Sequence, residues 1–323
     1  MHFPPEADSE VPRYVYAGEL LGEQNFVPAE GHRDGFLTVL GKAIAGFFEN
    51  PERTVLQRPQ SGVVDEDGRI LVTDVSRGAV FVFDEKAGQL DLWEFAQGFR
   101  RFVSPSGIAL GPEGRVFVAD ADLRRVVLLD REGKGSGIVG PDQLQRPTGL
   151  AWDAAASLLY VADTEAHQIK VFDLTGRLVR TLGRRGEGPG EFNYPTSLAL
   201  ARDGLVVSDT MNARIQVLPL EEGGPPLVFG RRGTRVGDFV RPKGVAVDGE
   251  DNLYAVESYH DHLLIFDRRG RFLLPIGGTG KEVGRFYLPG GVWVDARNRV
   301  FVADTFNGRV VIFQFLGGGA ESE

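Results

Sequence analysis

The sequence predicts an all-β fold, a six-bladed β-propeller of four-stranded antiparallel blades, and three observations carry that reading. A phrase of the form Pro-x-Gly-apolar-Ala-apolar, followed by a short apolar run ending in an acid, recurs with a few substitutions from Pro59, Pro105, Pro147, Pro195, Pro242 and Pro289. Neighbouring starts lie 46, 42, 48, 47 and 47 residues apart, a period that belongs to stacked supersecondary units sharing one core. Each unit is divided by Gly, Asn and Asp into short runs rich in Val and Phe, which is the signature of strands joined by tight turns. The last unit has three such runs, while Arg13 to Leu20 supplies a fourth with no preceding three. The N-terminal strand is therefore expected to complete the last blade and close the ring, leaving no open edge.

Taken in order, residues 1–12 are polar and Pro-rich and read as a tether. Residues 13–316 read as one propeller domain, and 317–323 as a flexible tail. Between the closing strand and Pro59, the segment 34–49 has Asp34 as an N-cap and Asn50-Pro51 as a stop. It is expected to form one short helix inserted before blade one. Phe36, Leu40 and Ile44 lie along its apolar stripe, where they would pack on blade one or meet a partner. Within the blades, Asp84 to Gly88, Asp130 to Gly133, Asp173 to Gly176 and Asp267 to Gly270 follow the third strand. There Asp bonds backbone amides and Gly takes positive φ. Phe102, Phe192, Phe239 and Phe286, each three residues before its Pro, read as anchors for the long connections between blades.

Bulk composition narrows the function classes. With 42% hydrophobic and 25% charged residues the chain is of ordinary globular make-up. A net charge of −9 argues against generic nucleic-acid binding, which relies on neutralising phosphates. The absence of cysteine excludes disulfides, thiolate zinc sites and a Cys nucleophile. No apolar run is long enough to span a bilayer, and the start carries no signal-peptide pattern.

Three motifs recur in order: the Pro-x-Gly phrase; Asp-Thr-x-Asn-x-Arg (Asp209 to Arg214, Asp304 to Arg309); and Gly-x-x-Gly-x-x-x-Gly-x-Phe before the next Pro (Gly230 to Pro242, Gly277 to Pro289). Across about residues 56–316 the chain resembles NHL-repeat proteins. The resemblance implies a six-bladed propeller and not one activity, since that fold hosts scaffolds, RNA binders and lyases. The Pro-rich start is similar to that of bacterial NHL proteins whose stem follows a lipoprotein signal. It implies a place outside the cytoplasm only if Met1 stands where a leader was removed, and no lipobox Cys is present.

Candidate site residues are weighed against architecture. The Asp closing most second strands (Asp74, Asp120, Asp163, Asp209, Asp304) reads as a turn cap. The Gly-rich connections lack the following helix that a phosphate loop needs. Basic residues, Arg125, Arg214 and Arg309 among them, gather in connections that share one face, so an anionic ligand or acidic partner would be steered there. The same residues are also candidates for pairing with the strand-end Asp. Blade five departs most: Lys243 follows the repeat Pro where other blades have Gln60, Ser106, Thr148, Thr196 and Gly290, and Glu257, His260 and His262 replace Asp, Asn and Arg. With His167, these form the expected ligand-binding set at the channel mouth. His260 and His262 flank Asp261, yet no third ligand completes a metal site, so neither metal nor cofactor is expected. The reading is thus a non-catalytic module that binds a protein partner or small anionic ligand on the loop-bearing face. Its alternative is a metal-dependent lyase or hydrolase near blade five. Nucleic acid is disfavoured by charge and by an expected scarcity of aromatics on the loops.

Overall fold

The structure, a computed structural model, describes residues 1–4, 13–26, 54–98, 100–220 and 224–317. Six antiparallel sheets follow one another, each starting from an inner strand: Pro59–Val64, Pro105–Leu110, Pro147–Asp153, Pro195–Ala201, Pro242–Val247 and Gly291–Val294. Blade three shows the pattern. Pro147–Asp153 pairs with Leu158–Asp163, that with Gln168–Asp173, and that with the outer strand Leu178–Leu182. The second strand Leu158–Asp163 is buried from Leu159 onward, whereas Leu178–Leu182 alternates half-buried and exposed, as an outer strand facing water must.

Hydrophobic packing runs between blades and not within them. Leu71, Val80 and Val82 of blade one pack with Ile108, Val116 and Val118 of blade two, and corresponding clusters join every pair around to blades six and one. The repeat glycine explains the close approach of the inner strands. A Cβ on Gly107 would lie 1.9 Å from the Thr148 carbonyl oxygen, and one on Gly291 would lie 2.0 Å from that of Gln60. A side chain at either of these two positions would force the facing backbone to shift.

The ring closes as expected. Tyr14–Leu20 pairs antiparallel with Arg309–Phe315, from Tyr14 opposite Phe315 to Leu20 opposite Val310. Tyr14 and Leu20 are 2% and 3% exposed, and the Tyr14 hydroxyl lies 3.0 Å from that of Tyr254 in blade five. Tyr254 in turn donates to Asp248 at 2.7 Å. The tether reading of 1–12 is corrected at its start. His2–Phe3 forms a short strand beside Tyr14–Leu20, making the sixth sheet five-stranded, because the edge of the closing strand still has free backbone groups to pair. A second difference is a small hairpin between blades one and two, Phe95–Gln97 with Arg100–Arg101. The helical segment expected over 34–49, with Phe36, Leu40 and Ile44, lies outside the described residues.

The turns have the chemistry read from the sequence. Asp84 Oδ1 accepts the amides of Lys86 and Ala87, and Gly88 takes φ of 66°. Phe192, Phe239 and Phe286 are fully buried and Phe102 is 4% exposed, so the anchors hold the connections in place.

Candidate functional site

All inner strands run in the same direction, so connections from second to third strand and from one blade to the next share one face. The structure sorts the expected site residues on that face into architecture and exposed surface.

Most of the charged candidates are architectural. Asp74 accepts the amides of Gln57, Arg58, Ser76 and Arg77, tying a turn to the incoming connection. Glu257, 1% exposed, does the same in blade five with the amides of Val240, Arg241 and Tyr259. Its extra methylene is accommodated without loss of the acceptor role. Arg214 donates from Nε to Asp209 at 2.7 Å and from its Nη atoms to the carbonyls of Glu187, Gly188 and Glu191. Arg309 repeats this in blade six with Asp304, the Arg285 carbonyl and Glu19 of the closing strand. Each guanidinium makes four hydrogen bonds, and in both cases the Nη2 pair clamps a Gly-rich connection. Glu257, Arg214 and Arg309, named in the expected ligand-binding set, thus hold loops in this structure. Arg125 is half-buried and donates to the Leu123 carbonyl at 3.0 Å.

The Gly-rich connections use their own amides. Gly186 donates to the Phe192 carbonyl, Gly188 to Glu191 and Gly190 to Gln216 Oε1. These amides are satisfied within the connection and its neighbouring strand.

The residue before each third strand is left-handed in every blade: Gly78, Arg124, His167, Ala213, Asp261 and Gly308 have φ between 53° and 64°. Two of these positions carry a latch. His167 Nδ1 accepts the amide of Tyr194 at 3.1 Å, and Asp261 Oδ1 accepts that of Leu288 at 2.6 Å. Asp261 Oδ2 also takes the Thr279 hydroxyl at 2.6 Å. Desolvation, with repulsion from Arg185, lowers the His167 pKa, so the acceptor form is the stable one. His167, also of the expected ligand set, thus serves as a latch. Because Asp261 is committed to Leu288 and Thr279, His260, Asp261 and His262 do not converge on a metal-sized space. Among the described residues no group of three or more His, Asp or Glu side chains is placed to hold a metal.

His260 and His262 stand where blade four has Asn212 and Arg214, the pair that clamps the preceding connection. His262 is half-buried and its pKa is lowered, chiefly by desolvation. Lys243 is the one blade-five departure that lines the channel, so the four do not form a single constellation.

The structure also shows an apolar surface that the sequence reading passed over. Met211, Tyr259 and Phe306 occupy the same turn position in blades four, five and six and are 47%, 62% and 49% exposed. Tyr194 and Tyr287 in the adjoining connections are 41% and 45% exposed. Tyr287 meets Phe306 edge-on at 5.9 Å, and the Arg58 guanidinium lies 5.0 Å over the Phe306 ring. Exposed Arg185 shares the Tyr194 connection, and exposed Arg232, Arg235 and Arg241 lie in the connection between blades four and five. The expected scarcity of loop aromatics is therefore corrected. The signal was present in the sequence as the residue two after the strand-end acid, apolar in three successive blades and Ser76, Asp122 or Glu165 in the others.

A family model described as a 6-bladed beta-propeller matches residues 152–223. NHL repeat-containing protein 2 of Bos taurus is 32% identical over 37% of this chain and 21% of its own length. The chain is a six-bladed propeller of NHL repeats. The Drosophila melanogaster protein brain tumor is 29% identical over 41% of this NHL propeller and 12% of its own length. The match thus spans about a fifth or less of these curated relatives. Among solved structures, a virginiamycin B lyase from Staphylococcus aureus superposes with a TM-score of 0.58 at 13% identity, covering 80% of this chain and 96% of that one. A gluconolactonase from Xanthomonas campestris gives 0.62 at 16%, covering 81% and 89%. At such identities the likeness carries the fold alone.

Proposed function

We propose that this NHL propeller is a protein-binding module that docks an acidic segment of a partner across the loop-bearing face of blades four to six. The observation that carries the reading is the band of Tyr194, Met211, Tyr259, Tyr287 and Phe306, interleaved with arginines. Exposed aromatics and Arg are the residue types enriched at the centres of protein interfaces. Arginines there favour an acidic partner even though the whole chain is acidic, because steering follows the local field. A net charge of −9 weighs against a polyphosphate partner, whose field reaches the entire surface. The clamps and latches around the band hold the connections rigid, so docking costs little ordering entropy.

The test is affinity capture from the native source with the wild type and with a variant carrying Met211→Ser, Tyr259→Ser and Phe306→Ser. These side chains are exposed, so stability changes little. A protein recovered with the wild type, lost with the variant and unaffected by nuclease supports the proposal. Equal recovery by both forms, or loss on nuclease treatment, overturns it.

A further inference from the structure

The bore of the propeller has two chemically distinct rings. The residue after each repeat Pro, namely Gln60, Ser106, Thr148, Thr196, Lys243 and Gly290, lines a cavity of about 190 Å³ at the loop-bearing end. Four residues further on, Val64, Leu110, Trp152, Leu200, Val247 and Val294 line a second volume of about 380 Å³. Both volumes share Ser61, Gly149, Ser197 and Val292 in their walls, so they are stacked along one bore. Four residues of strand separate the rings by about 13 Å.

The polar ring contains one charge. Its hydroxyls are occupied: Ser106 Oγ bonds the Pro147 carbonyl, and Thr148 Oγ1 bonds the Thr196 carbonyl and Thr164. The Lys243 ammonium has no ion pair and no hydrogen bond among the described residues, although Lys243 is only half-exposed. Desolvation and the neighbouring Arg241 depress its pKa, a mark of a cation short of counter-charge. Five blades meet the same architectural demand with neutral residues, so packing does not require a lysine. Gly290, in the adjacent blade, offers no side chain to fill the space, and a Cβ there would lie 2.6 Å from Thr305 Oγ1.

We propose that the bore binds a small amphipathic carboxylic acid, its carboxylate paired with the Lys243 ammonium and its hydrocarbon body lying against the Val64, Leu110, Trp152, Leu200, Val247 and Val294 ring. A carboxylate supplies the missing charge-assisted hydrogen bonds. The Val64, Leu110, Trp152, Leu200, Val247 and Val294 side chains take the hydrocarbon body out of water. This site is independent of any protein docked on the surrounding face.

The test is calorimetric titration of the full chain with octanoate, octanamide, acetate and inorganic phosphate, repeated on Lys243→Met and on Trp152→Ala. Octanoate is expected to bind, with octanamide, acetate and phosphate each at least tenfold weaker. Lys243→Met should weaken octanoate at least tenfold, and it is expected to fold because it removes an unpaired charge. Binding of acetate or phosphate as tight as octanoate would overturn the apolar part of the site. Octanoate binding that is undiminished in Lys243→Met, or no binding at all by the wild type, would overturn the proposal.

Discussion

Closure by the N-terminal strand is the most quantitative consequence of the architecture, and Tyr14→Ala is the cleanest perturbation of it. Tyr14 is 2% exposed, packs against Phe315 at 5.0 Å between ring centroids, and meets Tyr254 edge-on at 6.2 Å. Truncating a buried aromatic to Ala costs about 3 to 5 kcal/mol, because transfer free energy is lost and a cavity remains. The hydroxyl contact with Tyr254 adds about 1 kcal/mol, offset in part because Tyr254 keeps Asp248 as acceptor. A net loss of about 4 kcal/mol translates into roughly 8 °C of Tm for a domain of this size. Val15→Ala, at a half-buried position of the same strand, should cost under about 1 kcal/mol and serves as the control. Urea unfolding followed by circular dichroism measures both. If Tyr14→Ala unfolds at the same midpoint as Val15→Ala, the strand is not part of the core and the closure argument fails.

Other consequences are equally checkable. Arg214→Leu strips the fully buried Asp209 of its guanidinium and leaves the Glu187 and Gly188 carbonyls without their donor, so a loss of about 3 kcal/mol is expected. Hydrogen exchange of the 183–191 amides should also be faster, with Arg214→Lys recovering only part of the effect. His167 and His262 have folded pKa values below the ordinary histidine value of about 6.5, so the native state binds fewer protons there than the unfolded chain. Stability should therefore be full above that pH and fall as pH drops through it, and His167→Asn should flatten the change in urea midpoint between pH 7.5 and 5.5. Lys243→Met should leave stability unchanged or raise it by up to about 1 kcal/mol, since an unpaired, partly desolvated charge is removed. A clear fall in urea midpoint would show that the lysine is a packing residue.

The fold was legible in the sequence because a propeller repeats its physics. Six copies of one inner-strand phrase averaged out local ambiguity, and the missing fourth run after Arg309 pointed to Arg13 to Leu20. The strand at His2–Phe3 and the hairpin at Phe95–Gln97 were not legible, since two- and three-residue strands carry no periodicity. The site was harder to read because side-chain direction decides it. Arg214, Arg309, Glu257 and His167 all appeared as candidates for chemistry. What separates them from Lys243 is that each finds backbone partners in a neighbouring connection, a long-range fact with no local signature. The exposed band was legible in principle, as an apolar residue at one turn position in three consecutive blades. It shows only when equivalent positions are compared by exposure and not by motif.

The central claim is that function resides on the loop-bearing face of blades four to six. Placing a photo-cross-linking residue at Tyr259 on that face, and separately at Ala156 in the blade-three turn on the opposite face, tests it in the native source. A discrete cross-linked protein from position 259 that is absent from position 156 is the predicted result. Adducts from position 156 alone, or from neither position, would contradict the account.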